Sequence, residues 1–179
     1  MMELAEDIRK RGIALDEAYR AGDLAAIREI LGNLADFPNC VQPFELGCGG
    51  TPLDYAFCWS PAHLIHELLE AGADVNYSAD DGYPAIFTLM DTDREDKYDL
   101  MALLLDRGAD IHQRGINDWT PLHYAVWQRD LPAAQLLLKR GADPDLKSRI
   151  DDQTSPREDA NALNFTHFKA LFDAHPAPE

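Results

Sequence analysis

The triplet Gly-Ala-Asp recurs along this chain at nearly constant spacing. It stands at 72–74, 108–110 and 141–143, so successive copies are 36 and 33 residues apart. Each copy directly follows a leucine-rich run of the kind that forms the end of a helix. Glycine at such an end accepts the left-handed conformation that stops a helix. A stop signal repeated every 33 to 36 residues predicts an array of similar helical units rather than one continuous core.

A start signal precedes two of these stops. The segments TPLDYA at 51–56 and TPLHYA at 120–125 each place their proline 20 residues before the glycine of the triplet. Threonine caps a helix N-terminus with its hydroxyl, and proline suits the first helical position. The segment YPAIFT at 83–88 is a poorer copy. Start and stop together enclose enough chain for two short helices in each unit.

These motifs resemble the ankyrin repeat, a unit of about 33 residues with the signature T-P-L-H-x-A. The resemblance implies an all-α fold: an ankyrin-repeat solenoid of stacked helix-turn-helix units with short hairpin-like tips. It covers residues 1–179 as a single domain. The expected divisions are a capping unit with connector at 1–44, a repeat at 45–78, a repeat with an inter-helix insertion at 79–113, a repeat at 114–148, and a C-terminal capping unit at 149–179. The first helix is expected to begin near Glu3 and to be longer than the family needs.

Two segments depart from the repeat pattern. Between the expected helices of the 79–113 repeat, residues 91–98 carry four extra positions and the densest acidic charge of the chain. In the family this turn lies at one edge of the binding groove, although a solvated loop would explain it equally simply. A longer glycine-rich finger at 40–50 precedes the first full repeat, and its conformation is left open.

The charge of the chain narrows the classes of partner. It contains 16 Lys and Arg against 32 Asp and Glu, a net charge of −16. Such a charge opposes binding to nucleic acid and to anionic membranes, and favours cationic partners, unless it serves only solubility. The charged N-terminal segment does not resemble a secretion signal, and no apolar run is long enough for a membrane span. Three widely spaced cysteines argue against a disulfide framework and are interpreted as small apolar side chains in a cytoplasmic protein.

The sequence offers little that could carry catalysis. It has no glycine-rich phosphate loop, no nucleophile elbow and no zinc-protease motif, so we predict no enzymatic activity and no cofactor. His63 and His66 could share one helix face and bind a metal, but further ligands are not apparent and an exposed surface is the simpler interpretation. In the family, the histidine at the position of His123 has a structural role, hydrogen-bonding between adjacent turns.

The resemblance also indicates where a partner would bind. Ankyrin arrays bind proteins through a concave surface made of the tips and the inner face of each first helix. Transferring these positions gives the candidates Trp59, Tyr77, Asp80, Asp81, Tyr83, Met90, Asp91, Arg114, Ile116, Asn117, Trp119, Trp127, Gln128, Arg149 and Asp152. All three tryptophans fall among them, and tryptophan is enriched in interface hot spots. The alternative is that these rings only pack against neighbouring helices.

The sequence therefore predicts a non-enzymatic protein–protein interaction module. Its charge favours an acidic binder or inhibitor of a basic protein, such as an immunity protein that neutralises a toxin, and a monomer when unbound. The alternatives are a metal-binding or enzymatic protein that uses His63 and His66, and a self-assembling scaffold.

Overall fold

A computed structural model describes residues 2–32, 34, 36–41, 50–78, 82–150 and 153–175, with side chains from residue 6. These residues form ten α-helices and one short 3-10 turn. The chain divides into two compact units, Met1–Tyr77 (unit 1) and Ser78–Glu179 (unit 2). The division falls at the end of the predicted 45–78 repeat. The all-α class is confirmed, and the extent of a single domain over 1–179 stays a prediction.

Unit 1 contains two helix pairs. The first pair is α1 (Met2–Ala21) and α2 (Leu24–Leu31), and the second is α3 (Pro52–Trp59) and α4 (Ala62–Glu70). α1 is as long as the sequence predicts, and Gly22 and Asp23 form the turn before α2. The carboxylate of Asp23 accepts from Ala26 N at 2.9 Å and so caps α2. The core between the pairs includes fully buried Leu15, Tyr19, Ile27, Leu53, Phe57, Leu64 and Leu68.

Unit 2 contains three helix pairs. They are α5 (Ala85–Met90) with α6 (Lys97–Asp106), α7 (Pro121–Gln128) with α8 (Leu131–Lys139), and α9 (Pro156–Ala162) with α10 (Thr166–Asp173). Since α6 begins at Lys97, the insertion between the helices covers 91–96, two residues fewer than predicted. Apolar positions at helical spacing explain the packing, because they place Ile86, Met101, Leu104, Leu122, Leu137 and Phe172 in the core. Leu105, the neighbour of Leu104, is only partly buried and therefore lies at the edge of this core.

The helix start signals operate as capping boxes. The Thr51 hydroxyl and the Asp54 carboxylate satisfy each other's backbone N–H groups at the start of α3, and Ser155 and Glu158 do so for α9. In the third copy Tyr83 replaces the threonine, the N-cap of α5 is Pro84, which provides no side-chain cap, and the helix is six residues long. The poorer copy of the motif thus forms the shortest helix among the described residues.

The tips of unit 2 are closed hairpins. Ser78 and Pro84 form an isolated antiparallel bridge, Gly115 N donates to Trp119 O at 2.9 Å, and Ser148 N donates to Thr154 O at 3.0 Å. Before the second and third tips, Gly108 and Gly141 have φ of +90° and +94°, the left-handed conformation expected at the helix stops. One tip therefore precedes each helix pair of unit 2, and its backbone hydrogen bonds fix the residues directly before the first helix of that pair.

Candidate functional site

Trp119 and Trp127 lie side by side in unit 2. Trp119 follows the 3-10 turn Ile116–Asp118, and Trp127 is the penultimate residue of α7. Their ring centroids are 5.9 Å apart with planes tilted by 46°. Trp127 is 59% exposed, an unusual state for so large an apolar side chain, whereas Trp119 is half-buried. The structure thus brings together two tryptophans that the sequence placed on either side of a scaffold motif.

Aromatic rings from α5 and α7 form a stack that packs against this tryptophan pair. The ring of Tyr124 stacks on Phe87 with centroids 4.3 Å apart, and on its other side it contacts Trp127 at 5.6 Å. Tyr83 meets Phe87 edge-on at 5.8 Å. Tyr83, Phe87, Tyr124, Trp127 and Trp119 therefore form a continuous row, which we call the aromatic strip. Because its inner members are packed, the exposed indole of Trp127 is held in place before any partner arrives.

The carboxylate of Asp91 lies at the edge of the aromatic strip. It accepts hydrogen bonds from the hydroxyls of Tyr83 and Tyr124, the latter at 2.7 Å, and from the amide of Gln128. Burial, together with this carboxylate, raises the pKa of Tyr124 to about 12. Three predicted site residues, Tyr83, Asp91 and Gln128, are thus joined at one exposed negative charge, together with Tyr124. Met90, the neighbouring candidate, is buried at 1% exposure, so its side chain contributes to the core and not to contact area.

The cations predicted at the tips are already paired. Asp118 accepts from Arg114 Nη1 at 2.6 Å and from Arg149 Nη2 at 2.6 Å, and its side chain is mostly buried. The hydrogen bond from Arg149 is the main reason that the pKa of Asp118 falls to about 2. Arg114 also donates to Lys147 O at 3.0 Å. These two arginines therefore link successive tips, while Ile116 and Asn117 remain exposed beside them.

The helix that follows the acidic insertion, α6, is attached at its start to the following repeat. Lys97 Nζ donates to Asp130 Oδ2 at 2.9 Å, and the hydroxyl of Tyr98 donates to Asp130 Oδ1 at 2.9 Å. Asp130 also caps α8 by accepting from Ala133 N at 3.0 Å. An open polar depression of about 440 Å³ lies at this junction, with Asp91 and Asp93 on its wall. The start of α6, directly after the insertion, is thus bound to the next helix pair, while Asp91 at the other end of the insertion accepts the hydrogen bonds described above.

A second depression, of about 390 Å³, opens beside the two tryptophans. Its lining combines indole rings, apolar side chains and a single charged group, and consists of Asn117, Trp119, His123, Val126, Trp127, Ser148, Thr154, Asp159 and Leu163. We call it the tryptophan pocket. All of its residues belong to unit 2, from the tip, α7, the next tip and α9.

Buried His123 fixes one wall of this pocket. Its Nδ1 accepts from Thr120 N at 3.1 Å and from the Thr120 hydroxyl at 2.9 Å, so its Nε2 carries the proton and donates to Thr154 O at 3.1 Å. Burial lowers the pKa of His123 below its ordinary value of 6.5. The ring is therefore neutral at pH 7 and joins one helix start to the following tip, the structural role that the resemblance implies.

Comparison with known proteins agrees with this architecture. A family model of ankyrin repeats, in three copies, matches residues 63–148. Over 177 residues, 96% of this chain, the sequence is 30% identical to inversin of Mus musculus. The chain belongs to the ankyrin-repeat family. Ankyrin repeats are protein–protein interaction modules and are generally not enzymatic, which supports the broad function predicted from the sequence.

The relatives are much longer proteins. The chain is also 33% identical over 137 residues to the ankyrin repeat and KH domain-containing protein mask-1 of Caenorhabditis elegans, and 32% identical over 133 residues to palmitoyltransferase ZDHHC13 of Homo sapiens. It spans 15% of inversin, 5% of mask-1 and 19% of the palmitoyltransferase. The similarity thus concerns the ankyrin repeats, and the activities of the whole relatives are not carried over.

Other candidates lie in the ankyrin helices of unit 1 or outside the described residues. Trp59 is 46% exposed, but the guanidinium of Arg20 covers its ring at 4.6 Å. Tyr77 is half-buried at the end of the unit. Asp80, Asp81 and Asp152 fall outside the described residues. The arrangement in unit 1 therefore leaves Trp59 less open to a partner than Trp127.

The chemistry of the remaining candidates is limited. His63 and His66 are exposed on α4, and the described residues contain no cluster of three or more side chains able to hold a metal ion. Among those residues, no helix is long and apolar enough to cross a membrane.

Cys58 forms a disulfide bond, so its interpretation as a small apolar side chain is wrong, whereas Cys40 is a free thiol. Cysteine number and spacing gave no sign of this bond.

The sequence did not single out three residues that shape the site. Tyr124 is part of the repeated motif and was not among the candidate site residues, yet it connects Asp91 to Trp127. Asp118 and Asp159 lie outside the positions transferred from the family. One signal was present: tyrosine occupies the same motif position in both full copies, as Tyr55 and Tyr124.

Proposed function

We propose that unit 2 binds a protein partner with a basic surface, and that the aromatic strip with its acidic surroundings is the contact site. The exposed Trp127, held against Trp119 and Tyr124, carries this proposal. Large aromatic side chains that are fixed in place lose little conformational freedom on binding and dominate interface energetics. Packing of the core does not explain an indole at this position, because most of the Trp127 side chain is exposed.

Charge supports the choice of a basic partner. The chain has a net charge of −16, and Asp91 lies exposed beside the strip, whereas Arg114 and Arg149 both form ion pairs with Asp118. A negative surface accelerates encounter with a cationic protein and disfavours acidic ones. The same charge disfavours nucleic acid and anionic membranes.

In functional terms, we propose an acidic binder that covers and thereby inhibits a basic protein, as an immunity protein covers a toxin. The unbound protein is proposed to be monomeric. Self-assembly through the strip is the competing possibility, because an exposed aromatic patch can also join two copies. Light scattering over a concentration series separates the two: a constant monomer mass supports the proposal, and a Trp127-dependent dimer supports self-assembly.

The decisive experiment is affinity capture from an extract of the source cells. The wild type is compared with a Trp119→Ala, Trp127→Ala double variant and with Trp59→Ala as the matched control in unit 1. We expect a basic protein that the wild type and the control retain, that the double variant loses, and that elutes with rising salt. Equal retention by the double variant, or a retained partner that is acidic, contradicts the proposal.

A further inference from the structure

We infer that the tryptophan pocket receives an arginine side chain of the partner. This inference rests on the proposed function, because it names the group through which a basic protein is held. The pocket has a volume of about 390 Å³, within the range of sites that enclose a small ligand or a long side chain. It lies directly beside Trp127, so a partner seated on the aromatic strip reaches it.

The electrostatic character of the pocket is negative. Asp159 is the one formally charged side chain of its lining, and within the described residues no cation or hydrogen-bond donor is paired with its carboxylate. His123 is neutral, because both of its ring nitrogens are engaged with Thr120 and with Thr154 O. The nearby cations Arg114 and Arg149 are directed to Asp118 instead. A positive group that enters therefore finds one carboxylate for which the described residues show no partner, and none of the residues that line the pocket is a cation.

The shape of the pocket favours a flat cation. Trp119 and Trp127 both line the pocket, and their ring planes are tilted by 46° with centroids 5.9 Å apart. A cation placed over an indole face within about 6 Å is attracted by the ring electrons. The side chain of Leu163, which is 56% exposed, provides apolar surface for the methylene groups, whereas Val126 is buried beneath the pocket. Aromatic faces beside a carboxylate are thus the arrangement that a long cationic side chain requires.

Arginine fits these features better than lysine. Its guanidinium is planar, stacks on aromatic faces, presents several N–H donors and is more weakly hydrated than an ammonium group. Its donors can reach the carboxylate of Asp159 while the amide oxygen of Asn117 and the hydroxyls of Ser148 and Thr154 offer further acceptors in the same lining. A lysine ammonium would use the carboxylate but would not stack.

The test uses the full chain and short Gly/Ser peptides with one central residue: arginine, lysine, or citrulline, the neutral isostere of arginine. Binding is followed by the indole N–H signals of Trp119 and Trp127 in NMR titrations. We expect the arginine peptide to shift both signals to saturation, lysine to bind several-fold more weakly, and citrulline to bind at least about tenfold more weakly. No binding of the arginine peptide, or equal binding of lysine or citrulline, overturns the inference.

Two matched variants connect the peptide result to Asp159. Asp159→Asn and Asp173→Asn each remove one negative charge, but Asp173 is exposed at the end of α10 and outside the pocket. We expect only Asp159→Asn to weaken the arginine peptide, by about tenfold; equal weakening by both variants overturns the inference. With the captured partner, loss of binding in Trp127→Ala but not in Asp159→Asn refutes the arginine pocket and leaves the proposed function standing. Retention in Trp127→Ala refutes the proposed function itself.

Discussion

The hydroxyl of Tyr124 donates to Asp91 at 2.7 Å, and thereby joins the middle of α7 to the residue that ends α5. Unit 1 contains the same relationship, because the hydroxyl of Tyr55 donates to Asp16 in α1. In each case a tyrosine from the repeated motif meets an aspartate of the preceding helix pair. The motif position therefore carries a contact between neighbouring repeats as well as a packed ring.

Removing the Tyr124 hydroxyl should destabilise the protein. In Tyr124→Phe the ring stack with Phe87 remains, but the donor to a carboxylate is lost, so we expect a loss of about 1 to 3 kcal/mol in the free energy of unfolding. The control is Tyr19→Phe, since the Tyr19 hydroxyl is buried without a hydrogen-bond partner among the described residues. That variant should be neutral or slightly more stable in urea unfolding. The opposite order of the two variants would contradict the assigned bonds.

The ion pair between Lys97 and Asp130 should stabilise the folded protein. Its side chain is 15% exposed and that of Asp130 8%, so Lys97→Met leaves a largely buried carboxylate without its cation. Since Tyr98 and Ala133 N still donate to Asp130, we expect a loss of about 2 to 3 kcal/mol rather than the larger cost of an isolated charge.

The matched control for Lys97 is Lys147→Met. Lys147 pairs with Glu158 in an ion pair whose side chains are 58% and 47% exposed. Exposed pairs contribute up to about 1 kcal/mol, so this variant should have little effect on the unfolding free energy. Similar losses in both lysine variants would show that the Lys97 pair is no more than a surface contact.

Asp118 should make the protein sensitive to strong acid. Its folded pKa of about 2 lies below the ordinary value of 3.8 because Arg149 and Arg114 favour the carboxylate. A carboxyl group with a lowered folded pKa contributes stability that is complete above pH ~4 and is lost as the pH falls towards 2. After allowance for solvent screening of exposed Arg149, this contribution is about 1 to 2 kcal/mol.

Urea unfolding between pH 5 and about pH 2 tests this assignment. Asp118→Asn should be less stable than the wild type at pH 5 and should lose less on acidification, so that the two curves converge. Asp173→Asn, which removes an exposed aspartate, serves as the control. Its unfolding free energy should fall with decreasing pH as much as that of the wild type. Parallel curves for Asp118→Asn and the wild type would refute the ion-pair contribution.

His123 should add a pH dependence in a milder range. Because burial lowers its folded pKa below 6.5, the unfolded chain binds a proton first as the pH falls. Stability from this residue is therefore complete above about pH 7 and declines through pH 6 towards its folded pKa. His123→Asn should flatten the change in unfolding midpoint between these values, whereas His66→Asn, at an exposed position, should not. An unchanged slope in His123→Asn would mean that the ring is not the titrating group.

Much of the fold could be predicted from the sequence, for local reasons. Thr120, Pro121 and Gly141 act through the backbone of their own turn, so their effect on helix start and stop is the same in any tertiary setting. Where the local signal was weak, as at Pro84, the helix was short. The end of the insertion was misplaced by two residues, because α6 already begins at Lys97. Fold class, helix pairing and the positions of the tips follow from such signals.

The candidate site was predicted only in part, because its properties depend on residues far apart in the chain. The sequence indicated that Trp119 and Trp127 flank one motif, and the resemblance to ankyrin repeats implied that both lie at the binding surface. It could not show that Arg149 would neutralise Asp118, that Asp91 would receive two tyrosine hydroxyls, or that Met90 would turn inward. Each of these depends on which side chain from another helix pair arrives at hydrogen-bond distance.

By itself, then, the sequence determined a repeating helical scaffold. It also indicated which side chains the scaffold does not need for its packing. Only the tertiary structure decided which charges are paired and which remain available, since pairing is set by separation in space and by burial. Asp118 and Asp159 show the difference. Both are aspartates next to the same tryptophans, but one is held by two arginines and the other lines an open pocket without a described cation.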